Sequence, residues 1–413
     1  MDKPKIAVIG AGASGLMAAA FIKNADVTVY DGNGFAGKKL AITGGGRCNL
    51  TNLCGVSEFL AHVVRSPKFL YSSLSAFAPK DTMSFFENLG VQLKVEDEGR
   101  VFPMSDKAAD IVNALYDLCV SRGVCFEWRP VLGIEAENGR VMGIALSDRV
   151  RGFDRVIIAS GGAVHHSLGS NGDGYRFAEA LGIKVNEPLP SLFPLGVCEK
   201  TVREQISALA GISLHDVSLN LLCGESKKPL YSGRGGMMFT HTGITGPLAL
   251  CASAHIAWGK THRVRLNFLP DMKKDELDAY LSDMFQKIGA RNVHSLIKEL
   301  CPSALASLIL QRAGARPDMK CCEASREMRV RVANELTGFE LEVSGKSSFD
   351  SAMITRGGVD VSEVSPKTME SKRVAGLYFC GEVLDVDAYT GGYNLQIAFS
   401  TGRAAGISSC GAE

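Results

Sequence analysis

The stretch KIAVIGAGASGLMAAAFIKNADVTVYD, residues 5–31, decides the fold. Lys5–Ile9 is a short apolar run with the character of a buried strand, and Asp26–Tyr30 is a second. Between them Gly10, Gly12 and Gly15 complete a G-x-G-x-x-G that leaves a strand and opens a helix over residues 15–23. That context predicts a dinucleotide-binding β-α-β unit. Gly10 permits the tight turn, Gly12 lets the backbone approach a pyrophosphate, and Gly15 lets the helix pack on the sheet. Ala11, Ala13 and Ser14 supply the intervening backbone, and the helix start offers N–H groups and positive dipole to phosphates. Asp31 ends the second strand 21 positions after Gly10, near the roughly 20-residue offset of a ribose-binding acid.

Outward from this unit, residues 69–89 and 107–122 have helical spacing, each followed by a strand-like run at 91–95 and 124–128. Residues 131–136 and 140–146 predict a hairpin turned by Asn138-Gly139. A buried strand at 155–159 then ends in Ser160-Gly161-Gly162. The character changes near Glu187, where Pro188, Pro190 and Pro194 mark a boundary. Short alternating strands follow at 217–222, 237–240 and 264–268, and helical spacing follows from residue 274. From about Ser351 the first character returns, with a strand at 376–380 and a closing helix at 395–408.

The predicted architecture is α/β: a split Rossmann-like domain of the two-dinucleotide-binding type over 1–190 and 349–413. Its predicted insert has a β-barrel-like part at 191–272 and a helical part at 273–348. A Rossmann half, an insert and a Rossmann completion form a layout common among FAD enzymes and uncommon among NAD-only dehydrogenases. FAD is the expected cofactor.

Bulk properties narrow the partners. A net charge of +1 over 413 residues argues against nucleic acid or an anionic membrane surface as partner. None of the 12 cysteines has C-x-x-C spacing, so neither a redox-active pair nor a zinc site of recognisable spacing is expected. The longest apolar stretch outside the first strand, residues 246–259, is too short to span a bilayer. With no leader pattern visible at Met1-Asp2-Lys3, a cytoplasmic location is expected. The oligomeric state is not readable.

Further cofactor candidates lie outside the glycine loop. Gly381 and Glu382 follow the strand GLYFC, and Glu382 or Asp385 suits a carboxylate accepting from ribityl hydroxyls; the spacing leaves both open. Gly392, Asn394 and Leu395 open the last helix, whose N–H groups suit the flavin O2/N1 edge. Lys38 and Lys39 precede Gly44-Gly45-Gly46, a run that is costly to order unless backbone must lie flat on something. Arg47 is expected to face the pyrophosphate, Asn49 a flavin ring edge, and Cys48 the isoalloxazine. Ser160 and Gly161 close the strand edge of the site, and Val131 borders the adenine position. The candidate catalytic residues are His241, Cys48 and Tyr393, with His165-His166 as a weaker pair; no metal ligands are expected.

GAGASGLMAA, GKKLAITGGGRCNLTN, GRVFPMSDKA, GGMMFTHTGITGP and GLYFCGEVLDVDAYTGGYNLQIAFSTG, in this order, span nearly the whole chain. Together they resemble the bacterial FAD flavoproteins of the aminoacetone-oxidase-like family, which also takes in bile-acid ene-reductases. The resemblance implies FAD, the split domain and the barrel-plus-helical insert. It carries Gly10, Gly12, Gly15, Asp31, Arg47, Asn49, Gly381, Glu382 and Asn394 over as FAD-site positions. Ala388-Tyr389 departs from the family pattern, which expects a glycine or polar residue there. The first functional expectation is reduction of a small organic substrate with a conjugated C=C, with NAD(P)H as donor; no second G-x-G-x-x-G exists, which favours a transient nicotinamide visit or no nicotinamide at all. An amine or aminoketone oxidase using oxygen is the alternative, and a flavin-binding sensor or partner-binding module is a third.

Overall fold

The computed structural model describes residues 3–410. Residues up to Ser191 and from Ala352 onward form one compact unit, and Leu192–Ser351 form a second.

The first unit is organised by β1 (Lys5–Ile9), α1 (Ala13–Phe21), β2 (Asp26–Tyr30), β3 (Cys125–Glu127) and β4 (Arg155–Ile158). A separate ribbon pairs β5 (Val185–Ser191), which leads into the insert, with β6 (Ile354–Val359), which leaves it, and β7 (Leu377–Phe379) and α2 (Tyr393–Ser408) follow. The main sheet is parallel with order β7-β4-β1-β2-β3. The strand after the insert therefore completes a sheet begun before it. Parallel strands covered on both faces need continuous apolar runs, and Ile6–Ile9 and Val156–Ile158 are all buried. α1 is alanine-rich, and Ser14–Ala20 are buried without exception. It lies so close to α2 that a Cβ on Gly402 or Gly406 would stand 2.3 Å from the backbone oxygen of Ser14 or Ala18.

The ribbon pairs β5 (Val185–Ser191) with β6 (Ile354–Val359) in antiparallel fashion. Of the prolines read as a boundary, Pro188 and Pro190 are inside β5 and Pro194 lies beyond it. The register shifts between Asn186 and Leu189, around Pro188, because proline has no ladder donor and is tolerated at a bulge. The single helix expected over 69–89 is two, Pro67–Ala76 and Pro79–Asn88. Pro79 cannot continue the first helix but suits the first turn of the second. The hairpin forms as Gly133–Glu137 and Arg140–Ala145, with Asn138 and Gly139 at φ 50° and 73°, the left-handed pair of a type I′ turn.

The second unit is a six-stranded antiparallel sheet. Its spatial order is Leu195–Gly196, Gly243–Thr245, Tyr231–Phe239, Ser213–Cys223, His262–Asn267 and Phe339–Val343. The first and last strands meet: Val197 bridges Val343, Ser344 N donates to Gly196 O at 2.8 Å, and Cys198 N donates to Glu342 O at 2.9 Å. The sheet thus closes into a barrel. The helical stretch expected as a domain of its own lies within this unit. It runs between two neighbouring barrel strands, and its last helix, Arg326–Gly338, passes directly into the strand at Phe339. Among the described residues no helix is long and apolar enough to cross a membrane.

Candidate functional site

At the carboxyl ends of β1, β2 and β4 the first unit opens a cleft of about 1070 Å³, where doubly wound sheets bind their ligands. Gly10 leaves β1 at φ 104° and its N–H donates to Tyr30 O at 2.7 Å. A Cβ on Gly15 would lie 1.8 Å from Gly10 O, so α1 can start where it does only with glycine at both positions. Gly12 caps α1 without a side-chain hydrogen bond, and nothing lies within 4 Å of where its Cβ would be. The first N–H groups of a helix have no partner inside it, and here Ala11, Gly12, Ala13 and Ser14 line the cleft.

Asp31 braces this loop. Its Oδ2 accepts from Ala11 N at 2.8 Å, and its Oδ1 accepts from Asn33 N and Nδ2 at 2.8 and 2.9 Å. A carboxylate has about four acceptor sites, so room is left for one further donor. A second lobe of about 860 Å³ shares Gly10, Asp31, Asn33, Ser160 and Gly169 with the first and continues to Tyr30, Pro130 and Val131. The two lobes form one elongated trough with the glycine loop and Asp31 at its waist.

At the other end stand Lys39, Glu382, Asn394 and Leu395. Lys39 Nζ and Glu382 Oε2 pair at 2.8 Å, and Glu382 Oε1 accepts from Thr355 N at 2.9 Å. Lys38 Nζ donates to Ser167 O at 2.8 Å and Asn33 Oδ1 at 3.1 Å, binding the segment 167–170 over the trough's edge. Ser160 and Gly161 line the wall between, with the Ser160 hydroxyl buried and without a protein partner.

Several expected residues lie elsewhere. Arg47 is not in the trough wall: Glu96 and Asp106 hold its guanidinium, which lies over the Phe102 ring with 4.2 Å to the centroid. Arg47 in turn keeps the Glu96 carboxyl below its ordinary range, and Lys94 together with Arg47 does the same for Asp106. Asn49 donates to Val101 O and Thr51 O at 3.3 and 3.1 Å and accepts from Gly392 N at 3.2 Å, so Asn49 and Gly392 are occupied with each other. Gly45 is exposed. Gly381 backs onto Ser14, whose Oγ a Cβ would meet at 2.4 Å. Asp385 is bound to Asn186 Nδ2 at 2.8 Å and Gly357 N at 3.1 Å, which leaves Glu382 as the acid in the wall.

Cys48 is fully buried, and burial pushes its thiol up to about 12. A thiol protonated at neutral pH is a packed side chain, not a nucleophile. Tyr393 is buried too, stacked on His62 with 4.5 Å between ring centroids and edge-on to Phe59. His241 belongs to the second unit, exposed between two barrel strands, with Nδ1 3.3 Å from Ser207 Oγ. His166 lines the outer lobe.

Among the wall residues that escaped the sequence reading, Asn33 and Thr355 carry hydrogen bonds that shape the site. Asn33 lies in both lobes and bonds Asp31, Lys38 and Leu168 O. Its place two residues after a strand-ending acid was the only available signal. Thr355 presents its backbone N to Glu382 and its hydroxyl to Ala163 N at 2.8 Å. No motif marks it.

Residues 4–408 match the family of the HI0933-like protein Rossmann domain. The chain belongs to that family. Within it, the chain is 30% identical over 403 residues to a ribosomal RNA dihydrouridine synthase of Escherichia coli, spanning 97% of this chain and 96% of that one. It is 32% identical over 415 residues to a 3-dehydro-bile acid delta(4,6)-reductase of Clostridium scindens, spanning 97% and 98%. The fold is shared with 3-ketosteroid delta1-dehydrogenase from Sterolibacterium denitrificans, at a TM-score of 0.53, 13% identity and full coverage of both chains. This HI0933-like chain therefore carries a Rossmann-like FAD-binding fold in an oxidoreductase family.

Proposed function

We propose that the trough holds FAD non-covalently and that the protein reduces a C=C bond conjugated to a carbonyl, with NAD(P)H as transient donor. The residues fit the cofactor. The uncapped start of α1 and the open side of Gly12 suit a pyrophosphate. Asp31 has an acceptor site left for a ribose hydroxyl, Val131 borders the adenine lobe, and Glu382 stands in the wall for the ribityl chain. The N–H groups opening α2 at Asn394 and Leu395 suit the pyrimidine edge of the ring, where charge gathers on reduction. Bound FAD supplies the hydride acceptor and donor.

One observation carries the reaction class. Dihydrouridine is uridine with its carbonyl-conjugated C=C saturated, and a delta(4,6)-reductase by name acts on C=C bonds, so both relatives are named for ene reductions. A small-molecule enone and a uracil base in RNA present the same reacting group. His241 is the candidate proton donor of the second unit. His241→Ala should lower turnover about a hundredfold, the lower end of general acid catalysis, while FAD content stays; equal loss of both would remove it from catalysis.

The test is anaerobic stopped-flow. NADH or NADPH should bleach the flavin, and a steroid dienone or a uridine-containing ribosomal RNA fragment should recolour it. Bleaching by aminoacetone alone, with rapid recolouring by oxygen, would replace this reading with the aminoketone oxidase.

A further inference from the structure

The turn 388–395, which brings Asn394 and Leu395 to the trough, is held by Asn394 itself and by residues outside the trough wall. Asp387, just before it, is fully buried. Both its carboxylate oxygens stand 2.8 Å from Nη1 of Arg65, and Ser191 Oγ donates to Oδ2 at 3.2 Å. Asp387–Ala388 pairs antiparallel with Val63–Arg65, and Tyr389 N donates to His62 O at 3.0 Å. Asn394 ties the turn to itself: its Oδ1 accepts from Ala388 N at 3.0 Å, and its Nδ2 donates to the carbonyls of Ala388 and Tyr389 at 2.9 and 3.2 Å.

We propose that Arg65 is a positioning residue for the flavin ring. Acting through Asp387, it fixes the turn whose N–H groups face the pyrimidine edge, and so sets how readily the ring accepts a hydride. The inference rests on the FAD reading above. Taking the Asp387 charge fully out of water is expensive even beside a half-buried Arg65, and an apolar pair of similar volume often stabilises a fold as well or better. An ion pair specifies a position more narrowly than an apolar contact does. Here the pair holds the start of the turn whose other end is Asn394, seven residues on and bonded back to Ala388 and Tyr389, and a ring edge placed there needs donors within hydrogen-bond reach.

The experiment uses the full FAD-loaded chain. R65M/D387L removes both charges together, so that only the Ser191 hydroxyl loses its acceptor at the pair, and Arg356, which also feels this carboxylate, keeps Glu187 and Asp385. R65K keeps a cation, which suffices geometrically because a single nitrogen makes both contacts. The readouts are the flavin midpoint potential and the affinity for sulfite, which adds at N5 and leaves negative charge at the pyrimidine edge. FAD content and melting temperature serve as controls. The expected result is near wild-type behaviour for R65K. For R65M/D387L, retained FAD and melting temperature should accompany at least tenfold weaker sulfite binding and a potential lowered by about 30 mV, a tenfold change for a two-electron couple. A double variant that keeps its melting temperature but loses FAD supports the same conclusion. Unchanged potential and sulfite affinity would overturn the proposal, as would a parallel fall of melting temperature and FAD content that R65K fails to rescue. Wild-type protein without FAD would instead refute the cofactor reading itself.

Discussion

The two ends of the trough are built in opposite ways. The glycine loop is held by its own neighbourhood: Gly10 by Tyr30, and Ala11 by Asp31 twenty positions on. The turn at 388–395 is held from the far end of the chain, by Asn52 on Gly391 across 339 positions and by Arg65 on Asp387 across 322. One end is a local device in which each atom has one possible place. The other is an assembly of several bonds, no one of which determines its conformation. The local end should therefore fail abruptly on small changes, and the assembled end should shift by degrees.

The largest effect is expected at the local end. Gly15→Ala puts a methyl 1.8 Å from a backbone oxygen that has no rotamer to move to. The loss should exceed about 3 kcal/mol, the usual upper range for overpacking among side chains, or more than a hundredfold in FAD affinity. Flavin release from the purified variant measures it; a yellow protein with normal FAD content would show that α1 can slide, and that this end is no more rigid than the other.

Asp31→Ala comes next. It removes an acceptor from a proposed ribose hydroxyl and also unties Ala11 and Asn33. Hydrogen bonds to a charged group are worth about 1.5–3 kcal/mol, which is roughly ten- to a hundredfold in FAD affinity. Titrating apoprotein with FAD decides it, and unchanged affinity would take Asp31 out of the site.

Cys48→Ala should do least, although Cys48 adjoins the assembled end through Asn49. The expected change in FAD content is within about twofold, because truncating one buried sulfur costs roughly 1 kcal/mol of stability without touching the trough. Burial raises the thiol from 9.0 to about 12, so the native state holds its proton longer than the unfolded chain does. Its contribution to stability is full below about pH 9 and declines as pH rises toward 12. Iodoacetamide treatment of native protein at pH 8, followed by peptide mapping, should leave Cys48 unmodified. Rapid alkylation there would reinstate it as a reactive residue.

The contrast between the two ends also separates what could be read without a structure. Strand, glycine loop, helix and Asp31 are encoded by spacing within 27 residues, and the structure puts all of them where the spacing places them. The split of the sheet was legible as well, because the apolar run at 377–379 is a strand that needs burial on both faces and can find it only in the parallel sheet. The sequence reading failed where a residue's partner is distant. Arg47 looked available for phosphate, yet Glu96 and Asp106 reach it first. Glu382 and Asp385 were equivalent on spacing until Asn186 and Gly357 claimed Asp385. Pro188 and Pro190 marked a boundary, and the first unit does break off at Ser191, but the segment they occupy is a strand because β6, more than 160 positions on, pairs with it. By itself the sequence determined the periodicities and the glycine positions, which depend on steric limits between near neighbours. Only the tertiary structure decided which charged and polar side chains remain free to meet a ligand, because each charge binds the nearest opposite charge in space, whatever its distance along the chain.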